Sequence, residues 1–181
     1  MDEIILTVKD LAVTFGNLQI FQNLNFKIKR GETAAIIGPN GAGKTVLLRA
    51  LIGSLSFEGE VHWAPDAKIG YVPQRLDLDR NLSLNLGDFL KLKTKILNLP
   101  NAVVSEVMDL VHLSKEKAKN TLSYLSSGEL QRALIALAFI GSPNVLLFDE
   151  PTAGVDLPGE EQIYQTLHHL QDQKRLTLIF I

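Results

Sequence analysis

Gly38-Pro39-Asn40-Gly41-Ala42-Gly43-Lys44-Thr45 decides how the rest of this chain is read. The run fits G-x-x-x-x-G-K-[ST], in which backbone N–H groups cradle phosphates, a lysine reaches the β- and γ-phosphates and a hydroxyl faces Mg²⁺. Glycines let the backbone curl so that successive N–H groups point inward at an anion. The helix that begins there turns the positive end of its dipole toward the same charge. Before the loop, Ala34-Ala35-Ile36-Ile37 reads as a buried parallel strand. After it, Val46, Leu47, Leu48, Leu51 and Ile52 give a helix with an apolar face. Strand, glycine loop and helix in that order predict a nucleoside triphosphate site held by Gly38, Pro39, Asn40, Gly41, Ala42, Gly43, Lys44 and Thr45.

Many protein classes carry such a loop, so a second signal has to narrow the reading. Val145-Leu146-Leu147-Phe148 is a short apolar run that ends on Asp149-Glu150. An acid at the end of a buried strand beside the loop can hold Mg²⁺ through water, and the next acid can orient and polarise an attacking water. Taken alone, the pair could also simply terminate a strand. Leu125-Ser126-Ser127-Gly128-Glu129-Leu130-Gln131-Arg132 precedes a nearly all-apolar stretch, Leu130 to Ile140. Ser126 and Glu129 have capping-box spacing, so a helix starts here. By itself this is a cap, or an anion site made of free N–H groups.

Around these motifs, Ile4 to Val8, Leu11 to Phe15 and Leu24 to Lys29 read as short strands, the last alternating as an exposed antiparallel strand does. Gly59 to Trp63 alternates as well, and Ile69 to Val72 reads as buried. From Leu82 to Ile140 the pattern turns helical: Val103, Val104, Val107, Met108 and Val111 follow a start at Pro100-Asn101. A last helix, beginning near Pro158, carries Ile163, Leu167 and Leu170 on one face. The fold predicted is α/β: a P-loop core with a mostly parallel central sheet, an antiparallel β subdomain and an inserted α-helical subdomain. As one domain over 1–181, the core takes 1–75 and 143–181 and the helical subdomain about 76–142.

Composition fits one soluble globular domain. The 181 residues are 46% hydrophobic and 21% charged, with a formal net charge of −2. That balance argues against broad electrostatic binding to nucleic acid or anionic lipid. The absence of cysteine fits a reducing compartment. The start, Met1-Asp2-Glu3, is acidic and no long apolar run follows, so no signal peptide is read there. The adjacent His168-His169 point about 100° apart on a helix and make a poor chelate. Leu176 to Ile181 reads as a core strand on whose last apolar residue the sequence stops. The expectation is therefore a sequence missing its C-terminal part.

The order P-loop, Tyr71-Val72-Pro73-Gln74, Leu125-Ser126-Ser127-Gly128-Glu129, then Phe148-Asp149-Glu150-Pro151-Thr152-Ala153-Gly154-Val155-Asp156 resembles the ATP-binding cassette (ABC) family over essentially the whole chain. The resemblance implies ATP and Mg²⁺ as ligands and a homodimer of nucleotide-binding subunits. In that dimer each ATP lies between one subunit's P-loop and the other's Leu125–Glu129 signature. By the same likeness Phe15 stacks on adenine, while Gln74 ligates Mg²⁺ with Thr45 and Asp149 and couples to a membrane partner. Ser126 and Gly128, within the stretch Ser126, Ser127, Gly128 and Glu129, meet the γ-phosphate across the dimer. Glu150, Gln74 and Lys44 are the implied catalytic group, and Asp156 lies in a loop communicating between the two sites.

Within the family, Ile69 to Arg75, Leu82 to Leu92, Glu129 and Gly154-Val155-Asp156 are most similar to bacterial ATPases of zinc and manganese uptake. The implied partners are integral-membrane permease subunits and, indirectly, an extracytoplasmic metal-binding protein, with no nucleic acid. The chain is then expected at the cytoplasmic face of the cell membrane. Leu76, Leu82, Leu84, Leu86, Phe89 and Leu90 divide between internal packing and a groove for a coupling helix of the permease. There are two departures. Ser127 stands where the family usually has glycine, which matters only if the backbone there needs φ > 0. The family's switch histidine would follow Leu176–Ile181, beyond the last residue given. The alternatives are therefore a truncated cassette that binds ATP without efficient hydrolysis, and a non-transport relative acting on nucleic acid.

Overall fold

The structure is a computed structural model that describes residues 3–74, 83–150, 157–174 and 176–181. The first two elements are long antiparallel partners, β1 (Ile4–Phe15) and β2 (Leu18–Lys29). The two short strands expected at Ile4 to Val8 and Leu11 to Phe15 are thus a single strand. What looked like a break at Lys9-Asp10 is a bulge: Asp10 takes φ +48° and the register slips between Val8 and Leu11. Asn25 on β2 repairs the ladder there. Its Oδ1 accepts from the Asp10 backbone N–H and its Nδ2 donates to Asp10 Oδ1, both at 3.0 Å. With β4 (Glu58–Trp63) on the other side of β1, this makes a three-stranded antiparallel sheet in the order β2-β1-β4.

The second sheet is parallel throughout, in the order β3-β7-β6-β5. Its strands are β3 (Thr33–Ala35), β5 (Ile69–Val72), β6 (Val145–Phe148) and β7 (Thr177–Phe180). Every residue of β6 is buried, as an all-apolar strand covered on both faces requires. β3 corrects the expectation of a buried strand. It is an edge strand of three residues; Ala35 is exposed and Ile37, just beyond it, is 93% exposed. The pairing continues one residue further through Ile36 N–H to the Phe180 carbonyl at 2.8 Å.

Alternation along the parallel sheet divides the apolar side chains between two cores. Val145, Leu147 and Ile179 face one cluster with Leu47, Leu48 and Leu51 of α1 (Lys44–Leu51) and with β1. Leu146, Phe148 and Leu178 face the other, with residues of α2 (Leu86–Ile96), α3 (Ala102–Leu110), α4 (Ser127–Phe139) and α5 (Leu157–Lys174). The rings of Phe148 and Phe180 stack with centroids 4.9 Å apart on this second face. α4 crosses β5 so closely that a Cβ on Gly70 would lie 2.5 Å from Leu146 Cδ2 and 2.8 Å from the Ala138 carbonyl oxygen. The far end of α4 is held by α2, whose Lys93 ammonium donates to the Leu137 and Ala138 carbonyls at 2.9 and 3.3 Å. Leu86 and Leu90 are fully buried and Leu84 and Phe89 pack beside them, so these four side chains serve internal packing. Leu76, Leu82 and the Asp156 loop lie outside the described residues.

Candidate nucleotide site

Gly41 and Gly43 take φ +82° and +86°, and Gly43 is the residue from which α1 starts. Gly38 needs no such freedom, so only two of the three glycines curl the loop. At Gly43 sterics add to the dihedral, since a Cβ there would fall 2.3 Å from Ile20 Cγ2. β2 therefore reaches over the start of α1. Ile20, Asn40, Gly41, Gly43, Lys44, Thr45, Val46, Gln74 and Glu150 together line a cleft of about 380 Å³.

Inside the cleft the polar groups are engaged with one another. The Lys44 ammonium donates to the Gly38 and Pro39 carbonyls of its own loop at 3.0 and 3.1 Å. β6 delivers Asp149 to the C-terminal edge of the sheet, where the residue is 3% exposed. The Thr45 hydroxyl donates to Asp149 Oδ1 at 2.9 Å, and the Tyr71 hydroxyl donates to Oδ2 at 3.0 Å. Burial first, and then the Asp149 carboxylate, push the Tyr71 phenol up to about 12, so it remains a donor at neutral pH. The Gln74 amide N–H donates to Glu150 Oε2. Glu150 itself sits at φ +48°, a conformation that costs a residue with a side chain about 1–3 kcal/mol. Its N–H reaches the Ile181 carbonyl at 3.3 Å.

The donor set suits a hard divalent cation. Thr45 lines the cleft and Asp149 is buried behind it; a carboxylate and a threonine hydroxyl 2.9 Å apart are what Mg²⁺ asks of a protein when substrate phosphates supply further oxygens. Gln74 adds an amide oxygen, because its N–H is the atom bonded to Glu150. Of the residues singled out in the sequence, Lys44, Thr45, Asp149, Gln74 and Glu150 come together here. Phe15 does not line the cleft; it stands 52% exposed at the turn between β1 and β2.

The signature residues lie apart from the cleft, at the start of α4. Ser126 is the N-cap of α4, its hydroxyl accepting from the Glu129 N–H at 3.2 Å while the Glu129 carboxylate accepts from the Ser126 N–H at 2.9 Å. Lys117, in the 3₁₀ turn Lys115–Lys119, pairs with that carboxylate at 2.7 Å and is the main cause of its pKa lying below the ordinary 4.5. Ser127 is the first residue of the helix with ordinary helical φ, so serine fits where the family's pattern has glycine. Ser126 and Ser127 are exposed and Gly128 is buried. None of the four lines the P-loop cleft. Sequence reading missed Ile20, Tyr71 as a partner of Asp149, and Lys117. Each lies far along the chain from the group it serves or carries no motif of its own.

Comparison with known proteins identifies the family. The sequence profile of the ABC transporter family matches residues 21–153. The zinc import ATP-binding protein ZnuC of Haemophilus ducreyi is 37% identical over 99% of this chain and 67% of its own length. ZnuC of Haemophilus influenzae is 35% identical over 98% of the chain and 65% of its own length. The chain thus spans about two thirds of the curated relatives it matches. Among solved structures, a dimeric bacterial ABC transporter cassette, MJ0796, superposes with a TM-score of 0.83 at 25% identity, over 97% of this chain and 87% of that one. From the phosphate loop to the acids that close β6, in sequence and in fold, the chain belongs to the ABC transporter family as an ABC ATPase domain.

Proposed function

We propose that this chain is the ATP-binding and ATP-hydrolysing subunit of a bacterial importer for a divalent metal, zinc or manganese. The observation that carries the hydrolytic part is the assembly of Lys44, Thr45, Asp149, Gln74 and Glu150 around one cleft. The metal rests on the ZnuC relatives. On binding ATP, the Lys44 ammonium leaves the Gly38 and Pro39 carbonyls for the β- and γ-phosphate oxygens. Thr45 and Asp149 would hold Mg²⁺ beside those oxygens, and the ion would supply positive charge against the charge that develops there. Thr45 and Asp149 present oxygens toward that position. Glu150, once its bond to Gln74 gives way, orients the attacking water and accepts its proton.

The γ-phosphate meets its remaining donors from a second copy, whose Ser126 hydroxyl and α4 N-terminus face it; Phe15 stacks on adenine from the P-loop side. The helices between β5 and β6 act as a subdomain against the core, and the permease docks on their side. Among the described residues no helix is long and apolar enough to cross a membrane. In this reading the chain sits at the cytoplasmic face by holding permease subunits, and meets the extracytoplasmic metal-binding protein only through them. No nucleic acid takes part.

The test is phosphate release by the purified chain. Glu150→Gln abolishes it while ATP binding persists, and Lys44→Ala removes binding itself. If Glu150→Gln releases phosphate at the unaltered rate, the assignment of Glu150 is wrong.

A further inference from the structure

Tyr71 stands in the run Tyr71-Val72-Pro73-Gln74, in which only Gln74 has been given work. In the parallel pairing of β5 with β6 it is level with Leu147, and the two share the face turned toward α1. Asp149 follows Leu147 by two residues and so continues that face. From there the phenol reaches along the sheet to Asp149 Oδ2 at 3.0 Å, while Thr45 occupies Oδ1 at 2.9 Å. The χ2 torsion of an aspartate is broad, so one hydrogen bond leaves the carboxylate plane free to turn. Two hydroxyl donors, one on each oxygen, fix it. Nothing else in the described cleft supplies the second donor.

We propose that Tyr71 is a positioning residue for the magnesium site: its hydroxyl holds Asp149 by one oxygen so that the other is presented to Thr45 and the cation. This rests on the assignment of Asp149 given above. Outer hydrogen bonds that orient a carboxylate near a metal are typically worth about 10- to 100-fold in metal affinity. Phenylalanine at this position keeps the ring's packing in the core and removes only the O–H.

The test uses the whole chain, Mn²⁺ as a paramagnetic probe and a non-hydrolysable ATP analogue. Two constants are measured for Tyr71→Phe: nucleotide affinity in excess chelator, and Mn²⁺ affinity of the nucleotide-loaded protein. The expected result is nucleotide affinity within about twofold of the unaltered chain and Mn²⁺ affinity reduced about tenfold. An unaltered Mn²⁺ affinity overturns the proposal, provided Asp149→Asn, run alongside, weakens Mn²⁺. If Asp149→Asn also leaves Mn²⁺ binding unaltered, the assignment of Asp149 falls and the role of Tyr71 falls with it. Equal losses in chelator and in Mn²⁺ would mark a collapsed cleft and a merely structural tyrosine, which also overturns it.

Discussion

At the scale of single residues, Gly43 shows how tightly the phosphate loop is specified. Its φ of +86° costs an L-residue about 1–2 kcal/mol, and Ile20 occupies the space a Cβ would need. Gly43→Ala should therefore lower stability by more than the dihedral alone and weaken ATP binding. Trimming the obstacle with Ile20→Ala should recover only the steric share. In a double-mutant cycle the two losses should sum to more than the loss of the double variant, as read by denaturant unfolding. Simple additivity would mean that Ile20 does not press on the loop. The glycine was legible in the sequence because the phosphate cradle writes itself into eight consecutive residues. Ile20 was not, because an isoleucine on an alternating strand looks the same whether it covers solvent or a loop 23 positions away. Tyr71 and Asp149, 78 residues apart, were each visible within a motif while their bond was not.

At the scale of elements, what could be read was what a segment decides by itself. Ser126 and Glu129 announce the start of α4 through a reciprocal pair of short-range hydrogen bonds, and both are present. Val145–Phe148 announces a strand covered on both faces. The break expected between Val8 and Leu11 failed because the repair comes from Asn25, on a different strand. β3 failed in the other direction: an apolar run says that burial is favourable, and only the strand order places it at the sheet's edge. The charge on Glu129 gives α4 a pH dependence with a definite sign. Lys117 first, then the Ser126 N–H, holds this carboxyl below its ordinary 4.5 in the folded chain. Its contribution is therefore present above about pH 4.5 and is lost as pH falls through the depressed folded value. Glutamine in place of Glu129 keeps the capping hydrogen bond, so the variant loses the partly exposed charge pair with Lys117, worth about 0.2–1 kcal/mol. Glu129→Gln should be less stable than the unaltered chain at pH 7, and the gap should narrow as pH drops below 4.5, followed by thermal unfolding. A gap that stays constant with pH would show that the carboxylate's charge contributes nothing.

At the scale of the whole molecule, the proposed function makes the cleft one half of a catalytic site and the start of α4 the other half. Lys44, Thr45, Asp149 and Glu150 meet at the C-terminal edge of the parallel sheet, where β6 and the glycine loop end together. Ser126 and Ser127 are exposed at the start of α4, and among the described residues they do not line the cleft that holds Lys44, Thr45 and Glu150. A helix N-terminus with an exposed serine hydroxyl suits a phosphate, but within a single chain it has none to meet. In the proposed dimer, two copies related by a twofold axis complete both sites at once, because the same pair of surfaces is used twice. That arrangement puts nucleotide inside the interface and predicts that association is linked to binding. With Glu150→Gln to prevent turnover, ATP should shift the 20.0 kDa chain to twice its mass in light scattering, and ADP, which lacks the γ-phosphate, should not. Adding Ser126→Ala should weaken that dimer by about a hundredfold or more, because a hydrogen bond to a charged group is worth about 1.5–3 kcal/mol and the twofold axis removes two of them, with ATP binding to the monomer unchanged. If ATP leaves the mass at that of one chain while binding is intact, the two halves of the site are not joined by a second copy under these conditions. If the dimer forms but ignores Ser126→Ala, the bridging contact lies elsewhere than the α4 N-terminus.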